Sequence, residues 1–340
     1  MNENPIDLLI HYSLSEKDVR ELQKLSDSLR IAHFPETKFE EIPADVKENA
    51  EILLTSRTVP TPEEMPRLRW VQYTQAGIGM ILDTPLLKRE GFRATSLSGA
   101  NAPIVAEYTV AALLAAAHLF PQIALYQNRK DWPPDRWRLF LPQELRGATV
   151  GLLGYGSIAR EVARLLQPFN MEILAVKKDL MVIEDSGYIP KGTGDPQGEL
   201  FRRLYPPEAR KSMLKECDFV LVALPLTKET TGFVGREELE AMKDTAILVA
   251  VGRGGQVDEL ALMEALAENK IGGAVLDVFM EEPLPADSPL WETPNLFITP
   301  HIAGSTKRYP EMVYELFSAN LQRYLDGKEL YNVFDPEKGY

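Results

Sequence analysis

The stretch Gly151-Leu-Leu-Gly154-Tyr-Gly156-Ser-Ile-Ala159 constrains this chain more than any other. The apolar run Thr149–Leu153 leading into it reads as a strand, the residues from Ser157 to about Leu166 as a helix, and Glu172–Val176 as the next strand. Gly154, Gly156 and Ala159 occupy the three small positions of a dinucleotide fingerprint: the first for the tight turn, the second for close backbone approach to a pyrophosphate, the third for helix–strand packing. The helix start beyond them offers free N–H groups and a positive dipole end to phosphates.

The same alternation extends in both directions. Upstream, Ile6–His11, Ile52–Thr55, Trp70–Tyr73 and Phe92–Ser96 read as strands, with a helix over Ser15–Leu25. Asn101–Leu119 is alanine-rich and apolar nearly all round, so it predicts a helix buried between layers. Pro121–Pro142 reads as an irregular arm. Downstream, strands are expected at Phe219–Leu224, Ala246–Val251, Gly273–Val278 and Leu296–Thr299, and helices at Glu237–Met242, Glu259–Glu268 and Tyr309–Leu325. The terminal helix is expected to pack back on the first domain. Strand–helix alternation calls for parallel sheets. The expected fold is therefore α/β, with two Rossmann-like doubly wound domains and a cleft between them. Residues 1–103 with 301–340 are assigned to a substrate (catalytic) domain and 104–300 to the dinucleotide-binding domain. The proline- and glycine-bearing stretch 179–215 reads as a surface excursion.

Composition narrows the partners. Thirty-seven basic against 50 acidic side chains leave a net charge of −13, which disfavours nucleic acid and anionic membrane surfaces, since both need a basic face. Small anionic substrates respond to local fields and stay open. The longest apolar region, Val110–Phe120, is too short to span a bilayer. The N-terminus lacks a basic start followed by an apolar stretch, so no signal peptide is expected. Cys217 is the one cysteine; it precedes an apolar run and reads as a core thiol in a reducing compartment, the cytoplasm. No metal is expected.

The end of the second strand of such a domain carries the residue that reads the adenosine ribose, about 20 residues past the first glycine. Ala175-Val-Lys177-Lys178-Asp179 falls there. A lysine cannot accept the ribose hydroxyl hydrogens but pairs with a 2′-phosphate, which leans the cofactor toward NADP(H) within an NAD(P) site. Lys178, Arg202 and Arg203 are candidate helpers. The alternative is an exposed lysine with Asp179 turned back to the ribose of NAD.

Three later segments carry charged or histidine side chains at strand ends: Val251-Gly252-Arg253-Gly-Gly-Gln-Val257, then Asp277-Val-Phe-Met-Glu-Glu282-Pro283, then Thr299-Pro300-His301-Ile-Ala-Gly304. Together with Gly154-Tyr-Gly156 and Leu224-Pro-Leu-Thr227, from about Trp70 to Asn332, they resemble the D-isomer-specific 2-hydroxyacid dehydrogenases of glyoxylate/hydroxypyruvate reductase type. The resemblance implies hydride transfer between NAD(P)H and a small 2-keto acid, giving a D-2-hydroxy acid. It implies Arg253 as substrate anchor, Glu282–His301 as proton relay, and Asp277 as a contact of the nicotinamide carboxamide. Gly154, Tyr155, Gly156, Ser157, Ile158, Lys177, Lys178, Leu224, Pro225, Val251, Gly252, Arg253, Asp277 and His301 form the implied cofactor site. Ala76, Gly77 and Ile78 occupy the loop whose amides hold the substrate carboxylate. Gln75 and Gly79 depart from the family's usual Ser or Gly and Asp there, which leaves the preferred keto acid open.

The chemistry is coherent with those residue types. A carbonyl oxygen that gains charge needs a cation beside it and an acid of near-neutral pKa. Of the four histidines, His11, His33 and His118 sit in structural contexts, whereas His301 ends the last strand. A carboxylate beside an imidazole stabilises its protonated form. The same resemblance suggests a homodimer in contact through the Pro121–Pro142 arm; Trp132 and Trp137 read as packing within the arm, with reach into the neighbouring subunit as the alternative. A nucleotide-sensing, corepressor-like binding protein without catalysis is the alternative.

Overall fold

Apolar strand runs and amphipathic helices assemble into two parallel sheets, one in each of two units. The computed structural model describes residues 5–339; Met1–Asn4, part of the stretch read as lacking a leader, lie outside the described residues.

The first unit holds the chain up to Asn101, Ser186–Tyr188, and the chain from Thr306 onward. It contains β1 (Ile6–His11), α1 (Glu16–Gln23), β2 (Leu29–His33), α2 (Ala44–Asn49), β3 (Ile52–Thr55), β4 (Trp70–Tyr73) and β5 (Arg93–Thr95). The strand order is β2-β1-β3-β4-β5, all parallel. That is the 2-1-3-4-5 order of doubly wound sheets. Alternation within strands sends Leu9, Leu53 and Val71 to one core and Leu8, Ile10, Leu54 and Trp70 to the other. The terminal helix Tyr309–Leu325 covers the second face through Val313, Leu316 and Phe317. Its buried Asn320 donates to Gln72 Oε1 at 3.0 Å, so the helix is keyed to the sheet by a polar contact as well as by packing.

The second unit runs from Ala102 to Asp185 and from Ile189 to Ser305. It contains α3 (Ala102–Ala117), α4 (Phe120–Arg129), α5 (Arg136–Leu139), β6 (Thr149–Leu153), α6 (Ser157–Leu166), β7 (Glu172–Val176), β8 (Arg203–Tyr205), α7 (Arg210–Leu214), β9 (Phe219–Val222), α8 (Arg236–Ala241), β10 (Ile247–Ala250), α9 (Glu259–Ala267), β11 (Gly273–Leu276) and β12 (Leu296–Ile298). Read from β8, the order β8-β7-β6-β9-β10-β11-β12 is the 3-2-1-4-5-6 dinucleotide-binding arrangement with one added strand. The chain reverses direction across the sheet between β6 and β9, and ligands of such sheets bind outside the carboxyl ends there.

Four expectations need correction. The units divide after Asn101 and after Ser305, not after residues 103 and 300, so His301 belongs with the dinucleotide-binding unit. The arm is helical over α4: Leu119 takes a left-handed conformation (φ 57°) that ends α3, and Pro121 sits in the next helix's first turn, where its missing N–H costs nothing. Strand β8 lies inside the stretch read as a surface excursion. Ser186–Tyr188 of that stretch belong to the first unit, where the Tyr188 amide donates to Asn332 Oδ1 at 3.1 Å. Among the described residues no single helix is long and apolar enough to cross a membrane.

Candidate active site

The β6–α6 turn is built as a phosphate cradle. Gly154 adopts φ +95°, and a Cβ there would meet Leu224 Cδ2 at 2.9 Å and the Ala223 carbonyl at 3.1 Å, so only glycine fits beside the end of β9. A Cβ on Gly156 meets nothing within 4 Å, which leaves room over the first turn of α6. Gly156 is the N-cap and has no side chain to occupy the free amides of that ten-residue helix. The residues present therefore fit a dinucleotide pyrophosphate.

Tyr155, between the two glycines, points into the protein. It is buried, and its hydroxyl donates to Asp195 Oδ2 at 2.6 Å. Burial, with the Asp195 carboxylate as acceptor, holds the phenol far above its ordinary pKa. Asp195 also accepts from the amides of Glu199 and Leu200. Arg160, one turn into α6, is 1% exposed: it stacks on the Tyr155 ring at 4.7 Å and donates to the carbonyls of Asp195 and Ile183, each at 2.5 Å. Glu161 accepts from the Gly194 amide at 2.5 Å. The excursion is thus bolted to the helix that carries the cradle. Sequence reasoning missed this. The available signal was two adjacent ionisable residues on a helix face that the fingerprint requires to pack inward.

At the end of β7 the Lys177 amide donates to Tyr205 O, and its half-buried side chain lies in the field of Arg160, Asp185 and Asp179. Burial lowers the Lys177 pKa, the Arg160 charge adds to this, and the two aspartates oppose it. Asp179 accepts from the Met181 amide at 2.9 Å, a local turn bond. Of the proposed helpers, Lys178 pairs with Glu229 (2.6 Å), Arg202 with Glu172 and Glu216, and Arg203 stacks on Tyr205. Arg202 and Arg203 are therefore engaged elsewhere.

Arg253, Glu282 and His301 come together at the carboxyl ends of β10, β11 and β12. His301 Nδ1 lies 2.7 Å from Glu282 Oε2, and both side chains are partly open to solvent. Glu282 Oε1 accepts from the Phe279 amide at 3.0 Å. Burial opposes ionisation of Glu282, but the bonds from His301 and Phe279 and the charges of His301 and Arg253 outweigh it and hold the carboxyl below its usual range. Gly254 brings the Arg253 loop against the Phe279–Met280 backbone, where a Cβ would sit 1.7 Å from the Phe279 carbonyl. Gln256, 1% exposed and unnoticed in the sequence, accepts from the Arg253 amide (3.1 Å) and donates to Leu224 O (2.6 Å), tying the Arg253 loop to the end of β9. The Arg253 guanidinium donates to the Gly252 carbonyl at 2.7 Å and is otherwise exposed.

Asp277 directly follows β11. It is 1% exposed, and its oxygens accept from Thr299 Oγ1 (2.6 Å) and from the amides of Ile302 (2.9 Å) and Ala303 (2.8 Å). In the first unit, the amides of Ala76, Gly77 and Ile78 follow β4 and donate to no acceptor among the described residues, as an anion-holding loop requires. His11 bonds Thr37 O, and His33 bonds Tyr12 O, both structural. Cys217 is buried against the Met213 carbonyl, and burial pushes its thiol up to about 12.

A 3-2-1-4-5-6 sheet with a glycine cradle at its switch point and a histidine–carboxylate pair with an arginine at neighbouring strand ends defines a dinucleotide-dependent dehydrogenase. Residues 110–303 match the family model described as D-isomer specific 2-hydroxyacid dehydrogenase, NAD binding domain. The glyoxylate reductase of Pyrococcus furiosus is 36% identical over 270 residues, covering 78% of this chain and 75% of that one. The D-3-phosphoglycerate dehydrogenase of Methanocaldococcus jannaschii is 35% identical over 261 residues, but the chain spans only 46% of its length. A D-isomer specific 2-hydroxyacid dehydrogenase of Xanthobacter autotrophicus, solved with NADPH, superposes with a TM-score of 0.78 at 26% identity, covering 99% of this chain and 100% of that one. The chain belongs to the D-isomer specific 2-hydroxyacid dehydrogenase family. It is an NAD(P)-dependent oxidoreductase of 2-keto and 2-hydroxy acids.

Proposed function

We propose that this enzyme reduces a small 2-keto acid of the glyoxylate or hydroxypyruvate kind, with His301 as proton donor, Glu282 as its partner and Arg253 as substrate anchor. The observation that carries this reading is the 2.7 Å His301–Glu282 pair with the Arg253 charge beside it. The dinucleotide, when bound, supplies the hydride. The chain's own residues do the rest. The Arg253 guanidinium forks onto the substrate carboxylate and places positive charge near the carbonyl oxygen. Because Nδ1 faces Glu282, the proton for that oxygen is held on His301 Nε2. Glu282 stays ionised well into the acid range and so keeps the imidazolium paired while it waits to donate. The amides of Ala76, Gly77 and Ile78 are assigned to the substrate carboxylate as well. A non-catalytic sensor draws no support, since the relatives at hand are named reductases and dehydrogenases. The test is loss of reduced-dinucleotide absorbance with a panel of 2-keto acids; no turnover on any member would overturn the reading.

The cofactor preference follows from Lys177. Lys177 stands at the end of β7 where the ribose reader is expected, Asp179 bonds the Met181 amide through one oxygen, and the related Xanthobacter enzyme was solved with NADPH. We assign NADP(H) as the preferred form. Lys177→Asp should lower kcat/KM for NADPH by roughly 10- to 100-fold, the worth of one charge-assisted bond, and raise that for NADH. A wild-type enzyme that already favours NADH would sink the assignment.

We also propose a homodimer. Phe120 (60%) at the start of α4 and Trp132 (80%), Trp137 (77%) and Leu141 (67%) of the arm are exposed, more apolar surface than one segment of a monomer usually leaves in water. Sedimentation velocity should give a single species of twice the chain mass, and Trp137→Glu should shift it toward the monomer. One buried cysteine agrees with a cytoplasmic enzyme.

A further inference from the structure

We propose that Thr299, with Tyr108 behind it, is a positioning residue for His301: a hydroxyl chain from α3 through Thr299 to Asp277 holds the turn that aims the imidazole at Glu282. The inference rests on the reading of His301 as proton donor. His301 adopts a left-handed backbone (φ 53°), which a side-chain-bearing residue keeps only when its surroundings impose it. What imposes it here is one buried carboxylate. Asp277 accepts from Thr299 two residues before His301 and from the amides of Ile302 and Ala303 directly after it. The His301 amide closes the turn on Thr299 O at 3.0 Å.

The proton directions in this chain are determined. Asp277 is an acceptor, so the single Thr299 hydroxyl proton goes to it. Tyr108, 2.5 Å from Thr299 Oγ1, must then donate. Burial, reinforced by the Asp277 charge, raises the Tyr108 pKa despite the bond to Thr299, so the phenol keeps that proton at neutral pH. The chain thus fixes Thr299, Thr299 and Asp277 together fix the turn, and the turn fixes which way the His301 ring faces. Asp277 acts through the backbone of the catalytic loop, from a position 1% exposed.

The test uses the full-length enzyme and three variants: Thr299→Val, which keeps the shape and removes the hydroxyl, Thr299→Ser, which restores it, and Tyr108→Phe. Thr299→Val should lower kcat roughly 10- to 100-fold, the effect of a misplaced reacting group, with KM for the dinucleotide within about twofold. Thr299→Ser should recover most of the loss. Tyr108→Phe should cost roughly two- to tenfold, the worth of one hydrogen bond. In enzyme without substrate, the His301 ring resonance, assigned by its loss in His301→Asn, should move in Thr299→Val and return in Thr299→Ser. Wild-type kcat in Thr299→Val, no recovery in Thr299→Ser, or an unmoved resonance would each overturn the proposal. If Thr299→Val does not fold, Tyr108→Phe carries the same kinetic and resonance tests. An active His301→Asn would instead bring down the proton-donor reading itself.

Discussion

His301→Asn is expected to lower kcat for keto-acid reduction by about 10²- to 10⁴-fold, the range a positioned general acid contributes. Asparagine keeps a polar side chain and tolerates the left-handed backbone at position 301, so the loss reports the missing proton and not a collapsed turn. Dinucleotide affinity, measured by fluorescence titration, should stay within a few-fold, because the Gly154–Ala159 cradle and α6 are untouched. Glu282→Gln tests the partner in the same assay. Glutamine keeps the shape and removes the charge that faces His301 Nδ1, so kcat should fall and the acid limb that Glu282 sets in the wild type should be lost. The Glu282 carboxyl is held below its usual range in the folded enzyme, so the pair is intact above the ordinary glutamate value and is lost only as pH falls through the depressed one. A wild-type pH profile in Glu282→Gln would dissolve the proposed relay even if His301→Asn were inactive.

Arg160→Met is expected to destabilise the dinucleotide-binding unit by about 3 kcal/mol. The Arg160 side chain is 2% exposed, so its removal strips the carbonyls of Asp195 and Ile183 of this donor inside the protein and takes one of the nearby cations from Asp185. In a unit of this size that amounts to a fall in Tm of roughly 6–12 °C. Because Arg160 also backs the Tyr155 ring, the excursion should loosen together with the cradle. Limited proteolysis should then cut between residues 179 and 200 faster than in the wild type, and dinucleotide should restore part of the lost protection. A Tm within about 2 °C of wild type and an unchanged digestion pattern would mean that the network is ornamental.

The two residues differ in how far the sequence could reveal them. His301 was legible because Thr299-Pro300-His301 ends a strand and because its neighbours in the chain match a family pattern. The cradle was legible for a related reason: strand, glycines and helix are contiguous, and each small residue answers a local steric demand. Arg160 carried no such mark. Its partners lie 23 and 35 residues further along, across an irregular stretch whose path no periodicity encodes. The same blindness hid the partners of Asp277, because a carboxylate at a strand end looks alike in sequence whatever donors of its own chain it meets. It also left the arm irregular, because four prolines and two tryptophans obscured a helix whose first turn accepts Pro121.

By itself, then, the order of residues determined what depends on neighbours along the chain: parallel strands alternating with helices, a glycine cradle opening α6, and a histidine, a glutamate and an arginine at successive strand ends. Only the tertiary structure decided which oxygen each buried donor meets. It seated Tyr155 and Arg160 on Asp195, spent Asp277 on the turn around His301, and placed His301 on the dinucleotide-binding side of the division between units. The physical reason is that a hydrogen bond acts over about 3 Å of space regardless of separation in sequence, and folding alone brings such atoms to that distance.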